Sequence, residues 1–297
     1  MTRTFYLTGI VFFLFISNSF SQINILRRQI ENITTAKKAH VGVAVYGIET
    51  NDTITFNGEG HFPMQSVFKF HIALAVLHQV DKGKLSLDQK IFIKKSDLAT
   101  STWSPLQKEY PEGNVTLPLR KILLYTVSQS DNNGCDILLR ILGGPKFVND
   151  YIHSIGIKDV SIKASEKEMH KAWVVQYSNW TTPISATKLL LKFYEGKILS
   201  QKSDDFLMQI MKETSTGGKR IKGLLPTGTT LAHKTGTSDT NAEGITAAVN
   251  DIGIVTLPGG KHFAISIFVS DSKENEDENE KIIADISKAA WDYFLTR

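Results

Sequence analysis

From Val67 to Val80 the chain is apolar on nearly every side of a helix, and a helix of that kind has to be enclosed by other elements. This segment marks the centre of the fold. A chain of 297 residues with 41% apolar content can build one large core or two modest ones around it, and no internal repeat is visible. Helical patterns continue to about Lys212: Leu117 to Ser128, Asn132 to Leu142 before Gly143-Gly144, Pro145 to Ile155 before Gly156, Pro183 to Glu195 before Gly196, and Asp204 to Lys212. Strand patterns occupy the two ends. His40 to Ile48 and Thr53 to Phe56 flank Asn51-Asp52, while Leu231 to Thr237, Ile245 to Leu257 and His262 to Val269 come late, the last two joined by Pro258-Gly259-Gly260. Amphipathic helices bracket the whole, near Ile23 to Lys38 and from about Glu280 to Leu295, with the acidic run Glu274 to Glu280 as a solvated approach to the second. The expected architecture is α/β plus all-α, an antiparallel sheet flanked by N- and C-terminal helices with an inserted all-helical domain. Residues 22–62 and 213–297 would form the discontinuous α/β domain and 63–212 the helical one, with a cleft between them.

Chemistry clusters where the buried helix opens. Ser66-Val67-Phe68-Lys69 puts an amine one turn from a hydroxyl, and a serine hydroxyl needs a base within hydrogen-bond reach to act as a nucleophile. Lysine can be that base only where desolvation or neighbouring cations lower its pKa, and an apolar helix supplies burial. Ser-x-x-Lys also occurs at Ser185-Ala186-Thr187-Lys188 and Ser270-Asp271-Ser272-Lys273, so the motif alone is weak. Ser185 follows the capping pair Thr182-Pro183 and Ser270 closes a strand; both read as surface residues. Ser130-Asp131-Asn132 follows Ser66 at a distance of 64 residues, and Lys234-Thr235-Gly236 follows Ser130 at 104. Either tripeptide alone is usually a cap or a turn. The ordered set describes an acyl-transferring serine site: backbone N–H groups at the helix start suit an oxyanion, Ser130 can relay a proton to a leaving nitrogen, Asn132 offers a donor and an acceptor, and Lys234 can hold Ser130 and a substrate carboxylate.

The N-terminus carries Arg3, an apolar stretch from Thr4 to Ile16, and small residues at Ser19 and Ser21 that fit cleavage before Gln22, so residues 1–21 read as a signal peptide. The stretch is too short for a membrane span, and no cysteine near the junction offers a lipid anchor. The single Cys135 cannot form an intramolecular disulfide, and export without disulfides fits a bacterial periplasm. The formal charge of +4 is small and spread, with no basic stripe interleaved with aromatics, which gives nucleic-acid binding no support. Eight scattered histidines show no metal-ligand spacing, and no cofactor or obligate partner is implied; the chain reads as a monomer.

With these three motifs the chain resembles the class A serine β-lactamases from about His40 to the C-terminus. Flanking text strengthens the match: Met64-Gln65-Ser66-Val67-Phe68-Lys69, Thr102-Trp103-Ser104-Pro105, Gln129 to Asn133, Glu166-Lys167-Glu168-Met169-His170, and Ala232 to Thr237. These details look most like the extended-spectrum branch typified by the PER and VEB enzymes. The resemblance implies the β-lactamase/D,D-peptidase-like fold and a β-lactam small-molecule substrate. It further implies catalytic roles for Ser66, Lys69, Ser130 and Glu166. Substrate binding would fall to Asn132, Lys234, Thr235, Thr237, Arg220, Trp103 and His170. Glu166 would place the deacylating water, with Glu168 as the competing glutamate, and whether Lys69 or Glu166 is the acylation base stays open.

Several positions depart from the usual family pattern. His170 stands where asparagine is common. Ala164 and Asn179 occupy the places of an arginine–aspartate pair that braces the loop, so that loop should be differently folded or more mobile unless other contacts replace the bridge. Asp239 to Gly260 contains no arginine, which leaves Arg220 as the candidate carboxylate ligand; the ordinary alternative is a surface arginine. Trp103 either lines the cleft mouth or packs in the core. A penicillin-binding D,D-peptidase shares all three motifs and is the nearest competing function, opposed by Glu166 and by the lack of an anchor. A binding protein on the same fold would not need every nucleophile, base and relay position.

Overall fold

The computed structural model describes residues 22–297; the expected signal segment, residues 1–21, lies outside the described residues. Five antiparallel strands form the main sheet in the order β2-β1-β10-β9-β8, with β1 His40–Gly47, β2 Thr53–Phe56, β8 Leu231–Thr237, β9 Thr246–Thr256 and β10 His262–Ser272. Side chains alternate between the faces of each strand. Val41, Val43 and Val45 of β1 and Phe263, Ile265, Ile267 and Val269 of β10 therefore share one face, in register with each other. They pack against Leu26 and Ile30 of α1 (residues 22–35) and Ile282, Ile283, Ile286 and Trp291 of α10 (Glu276–Leu295). The opposite face contributes Ala232, Ile252, Ile254, Ala264 and Phe268 to a second, larger core. Both faces of β9 and β10 are buried, and the architecture is the expected sheet flanked by terminal helices with helices inserted between its strands.

The larger core is organised on α2 (Phe68–Asp81), where every residue from Phe68 to Leu77 is buried. Burying each large apolar side chain there contributes about 1.5–3 kcal/mol. Lys69 and His71 are the only polar members of that run. Around α2 lie α4 (Leu119–Ser128), α5 (Asn132–Leu142), α6 (Pro145–Ser154) and α9 (Gln201–Lys212). Helix α8 (Pro183–Tyr194) lies directly on the sheet, where Thr187 Oγ1 donates to Ala44 O at 3.2 Å and to Ser266 Oγ at 2.9 Å.

Local detail differs from expectation in three places. Helix α10 starts at Glu276, inside the acidic run, because Asn275 caps it by accepting from Glu278 N at 2.9 Å and three acidic residues in the first turn suit the positive helix end. Ser185 and Ser270 are buried, not superficial: α8 turns Ser185 inward and β10 is covered on both faces. Short paired strands were not legible. Lys90–Ile93 (β4) pairs with Val115–Pro118 (β5), and Trp180–Thr181 (β7) lies between Phe62–Pro63 (β3) and Val160–Ser161 (β6), all too brief to show alternation.

Candidate active site

Ser66 lies in a 3-10 turn, Gln65–Val67, that leads directly into α2. One turn on, Lys69 is fully buried, and its Nζ reaches Ser66 Oγ at 2.6 Å. The same nitrogen contacts Ser130 O at 2.9 Å, Asn132 Oδ1 at 2.5 Å and Glu166 Oε1 at 2.8 Å. Four oxygens from three separated segments converge on one lysine. Among the described residues Glu166 Oε1 makes only this ionic contact, and none of their donors approaches it along a hydrogen-bond direction.

Ser130 adopts φ 59°, a left-handed conformation rare outside glycine and common at functional sites. Its carbonyl faces Lys69 and its hydroxyl accepts from Lys234 Nζ at 2.9 Å. Asp131 holds this turn. Fully buried, it caps α5 through Gly134 N at 2.7 Å and also accepts from Leu106 N at 2.7 Å and Ser104 Oγ at 2.8 Å, with burial pushing its carboxyl up against those donors. The segment carrying Trp103 is thereby tied to the Ser130 loop. Trp103 is 53% exposed at the cleft mouth, Nε1 donating to Gln129 O at 2.8 Å, which excludes the core-tryptophan alternative.

On the facing wall β8 brings up Lys234, fully buried, whose Nζ also bonds Thr235 O at 2.9 Å. Burial, then the Lys69 charge, depresses its pKa well below the usual lysine range, while Asp251 and Glu166 oppose the shift. Only glycine fits at Gly236, since a Cβ there would lie 2.4 Å from Met64 O and 3.3 Å from Ser66 N. That close approach is what brings β8 alongside the nucleophile. Arg220 is buried, not a surface residue: Nη2 donates to Thr237 Oγ1 at 2.7 Å, Nη1 to Gly236 O and Asn250 O at 3.0 Å each, and Nε pairs with Glu280 Oε1 at 3.1 Å.

Glu166 opens a one-turn helix, α7 (Glu166–Met169). Its competitor is engaged locally: Glu168 Oε2 accepts from Ser165 N at 2.8 Å in a capping box, which turns that carboxylate away from Lys69. Asp136 of α5 accepts from Glu166 N at 2.8 Å and Lys167 N at 3.0 Å; burial pushes its carboxyl up to about 6, the two N–H bonds opposing. Asn179 replaces the missing ion pair by other means. Fully buried, its Oδ1 accepts from Lys163 N at 2.7 Å and Ala164 N at 2.9 Å, and its Nδ2 donates to Ala164 O at 2.8 Å. His170 is exposed, with Nδ1 2.7 Å from Glu166 O; the carbonyl can only accept, so Nδ1 carries the proton.

These walls enclose a cleft of about 580 Å³ whose lining includes Ser66, Trp103, Asn132, Glu166, His170 and Thr237. An inner recess of about 200 Å³ reaches Ser130, Thr216 and Thr235. The structure thus brings Ser66, Lys69, Ser130, Asn132, Glu166 and Lys234 into contact, with Trp103, His170, Thr235 and Thr237 on the cleft walls and Arg220 behind Thr237, while Glu168, Ser185 and Ser270 stand apart. Sequence patterns missed Thr102, which accepts from Asn132 Nδ2 at 2.6 Å, Thr216, 2.6 Å from Thr235 Oγ1, and Gln65, at φ 45° and bonded to Gln176. Asp136 alone had a legible signal, four residues after Asn132 on one helix face. Among the described residues no group of three or more His, Cys, Asp or Glu is arranged to hold a metal ion.

A half-buried serine beside a buried lysine, a second serine held by a second lysine, and a glutamate in contact with the first lysine form a single site. Residues 25–294 match the β-lactamase enzyme family, and the chain belongs to that family, within class A. It is 51% identical to β-lactamase VEB-1 of Pseudomonas aeruginosa over 279 residues, covering 93% of each chain. It is 45% identical to the extended-spectrum β-lactamase PER-1 of the same organism over 277 residues, covering 93% of this chain and 90% of that one. The crystal structure of TLA-3 extended-spectrum β-lactamase superposes with a TM-score of 0.91 at 59% identity, covering 92% of this chain and 99% of the other. The protein is therefore a hydrolase of β-lactams.

Proposed function

We propose that the protein opens the β-lactam amide of penicillins and cephalosporins through an ester on Ser66 and clears that ester with water activated by Glu166. The observation that carries this reading is the position of Lys69 Nζ, 2.6 Å from Ser66 Oγ and 2.8 Å from Glu166 Oε1. A proton leaving Ser66 has a base in contact, and a carboxylate stands beside that base. The Ser66 oxygen adds to the carbonyl, the carbonyl–nitrogen bond breaks, and the nitrogen takes its proton through Ser130, whose hydroxyl touches Lys234. Water then gives a proton to Glu166 as its oxygen adds to the ester carbonyl, the bond from that carbonyl to Ser66 Oγ breaks, and the proton returns to Oγ, which frees the opened acid. Thr235 and Thr237 line the inner recess, Lys234 stands behind Ser130 and Arg220 behind Thr237, and these four would take the substrate carboxylate by charge and hydrogen bonds. Trp103, Asn132 and His170 would border the acyl side chain.

A D,D-peptidase would share the serine, both lysines and the asparagine, and Glu166 is the feature that favours a hydrolase. The extended-spectrum descriptions of the relatives support bulky acyl side chains as substrates. No helix among the described residues is long and apolar enough to cross a membrane, and with the apolar N-terminal segment this supports release into the periplasm. Glu166→Ala should open benzylpenicillin and stall, adding one substrate mass to the intact protein, whereas Glu168→Ala should clear normally. Accumulation in Glu168→Ala with clearance in Glu166→Ala would reverse the assignment of the base. Clearance in both would remove glutamate from deacylation altogether.

A further inference from the structure

We infer that Asp251 is a positioning residue for the anion-binding side of this site: one carboxylate buried on the far face of the sheet fixes the residues beside Lys234 and Arg220 and sets a negative charge one register position from Lys234. The inference rests on the proposed role of those two cations in holding the substrate carboxylate. Thr235 pairs with Asp251 and Lys234 with Ile252, so strand alternation sends Asp251 to the face opposite Lys234. That face is otherwise an apolar layer containing Leu231, Val249, Val255, Ile221 and Leu225. A carboxylate with no exposed surface is costly in such surroundings unless its charge is used or matched. Its partners are few. His233 Nδ1 lies 2.9 Å from Oδ1 and 3.1 Å from Oδ2, and Ile221 N approaches Oδ2 at 3.3 Å.

Both partners are sequence neighbours of the proposed carboxylate ligands. His233 precedes Lys234 on β8, and Ile221 follows Arg220 in the segment that crosses behind the strand. A single side chain thus ties together the two segments that carry Lys234 and Arg220. It also supplies charge. Around Lys234 stand Lys69 from α2, Glu166 from α7, Arg220 and Asp251 from β9, with the Ser130 hydroxyl and the Thr235 carbonyl accepting from its amine, and Glu166 and Asp251 are the negative charges in that set. Glu166 is engaged at 2.8 Å with Lys69, which leaves Asp251 as the carboxylate without another lysine or arginine in contact among the described residues.

Asp251→Asn keeps the shape and removes the charge. Removing a nearby negative charge lowers the pKa of Lys234 further, so the cation is lost at lower pH. The pH profile of kcat/KM for benzylpenicillin should therefore show its alkaline limb moved to lower pH, with a loss of about tenfold at the alkaline end relative to the acid end, the size of effect one nearby opposite charge produces. The loss should fall mainly on KM, and the methyl ester of the same substrate should not show it. Lys234→Arg placed on Asp251→Asn should restore the alkaline activity, because a guanidinium keeps its charge unaided. His233→Asn, which retains the carboxylate, should leave the limb in place, and an acidward shift as large as in Asp251→Asn would mean packing rather than charge is at work. Should Asp251→Asn not fold, Asp251→Ser leaves room for water beside Ile221 N and gives the same measurement. A wild-type alkaline limb that depends on the substrate carboxylate yet stays unmoved in Asp251→Asn overturns the inference alone. A wild-type limb identical for acid and ester overturns it together with the carboxylate-site reading.

Discussion

Asn179→Ala should unlock the segment that carries Glu166. The amide sits with no exposed surface and satisfies Lys163 N, Ala164 N and Ala164 O at 2.7, 2.9 and 2.8 Å. Truncation leaves two donors and one acceptor without these partners, the Ala164 groups buried and Lys163 N half-buried, each at about 1–3 kcal/mol. Water can enter at the edge of a loop, so the lower part of that range applies and the total comes to roughly 3–5 kcal/mol. For a chain of this size that is a fall in melting temperature of about 10 °C. Ala164 is adjacent to Ser165, the cap of α7, so the loss should reach Glu166 before it reaches Ser66, which is held by α2. Differential scanning fluorimetry gives the first reading and single-turnover kinetics the second, with deacylation slowed more than acylation. A melting temperature within about 2 °C of wild type, which corresponds to less than about 1 kcal/mol, would refute the claim that Asn179 replaces the missing ion pair.

Arg220→Ala should raise KM for carboxylate-bearing β-lactams by about 10- to 100-fold, the worth of a charge-assisted hydrogen bond, with little change for esterified analogues; equal losses for both in steady-state assays would assign Arg220 a structural role only. His71 is fully buried on α2, and burial lowers its pKa from 6.5 to about 4. The folded state therefore binds fewer protons than the unfolded one, so the stability is complete above pH 6.5 and is lost as pH falls from 6.5 toward 4. His71→Leu should move the acid-unfolding midpoint to lower pH while altering stability at pH 8 by less than about 1.5 kcal/mol, and an unchanged acid midpoint in circular dichroism titrations would contradict this.

The buried centre of the fold was legible because an apolar run such as Phe68 to Leu77 has only one environment available to it. Local chemistry was legible for a similar reason: Ser66 and Lys69 lie one helical turn apart, and Thr182-Pro183 or Asp131 act on backbone groups three residues away. Ser185 and Ser270 were misplaced because polarity and position in a strand or cap do not reveal what later covers them. Distance along the chain limited the rest. The convergence of Lys69 with Glu166, of Lys234 with Ser130 across 104 residues, and of Arg220 with Glu280 across 60 arises when the sheet, α2 and α5 pack, and no local pattern encodes it. Asn179 shows the same division. Sequence could register that an ion pair was missing, but its three replacement bonds exist only once residues 163–164 and 179 are brought together. Residue types and turn-length spacings determine which groups can do chemistry; packing between distant segments decides which of them meet, because desolvation and hydrogen bonding act over a few ångströms of space and not along the chain.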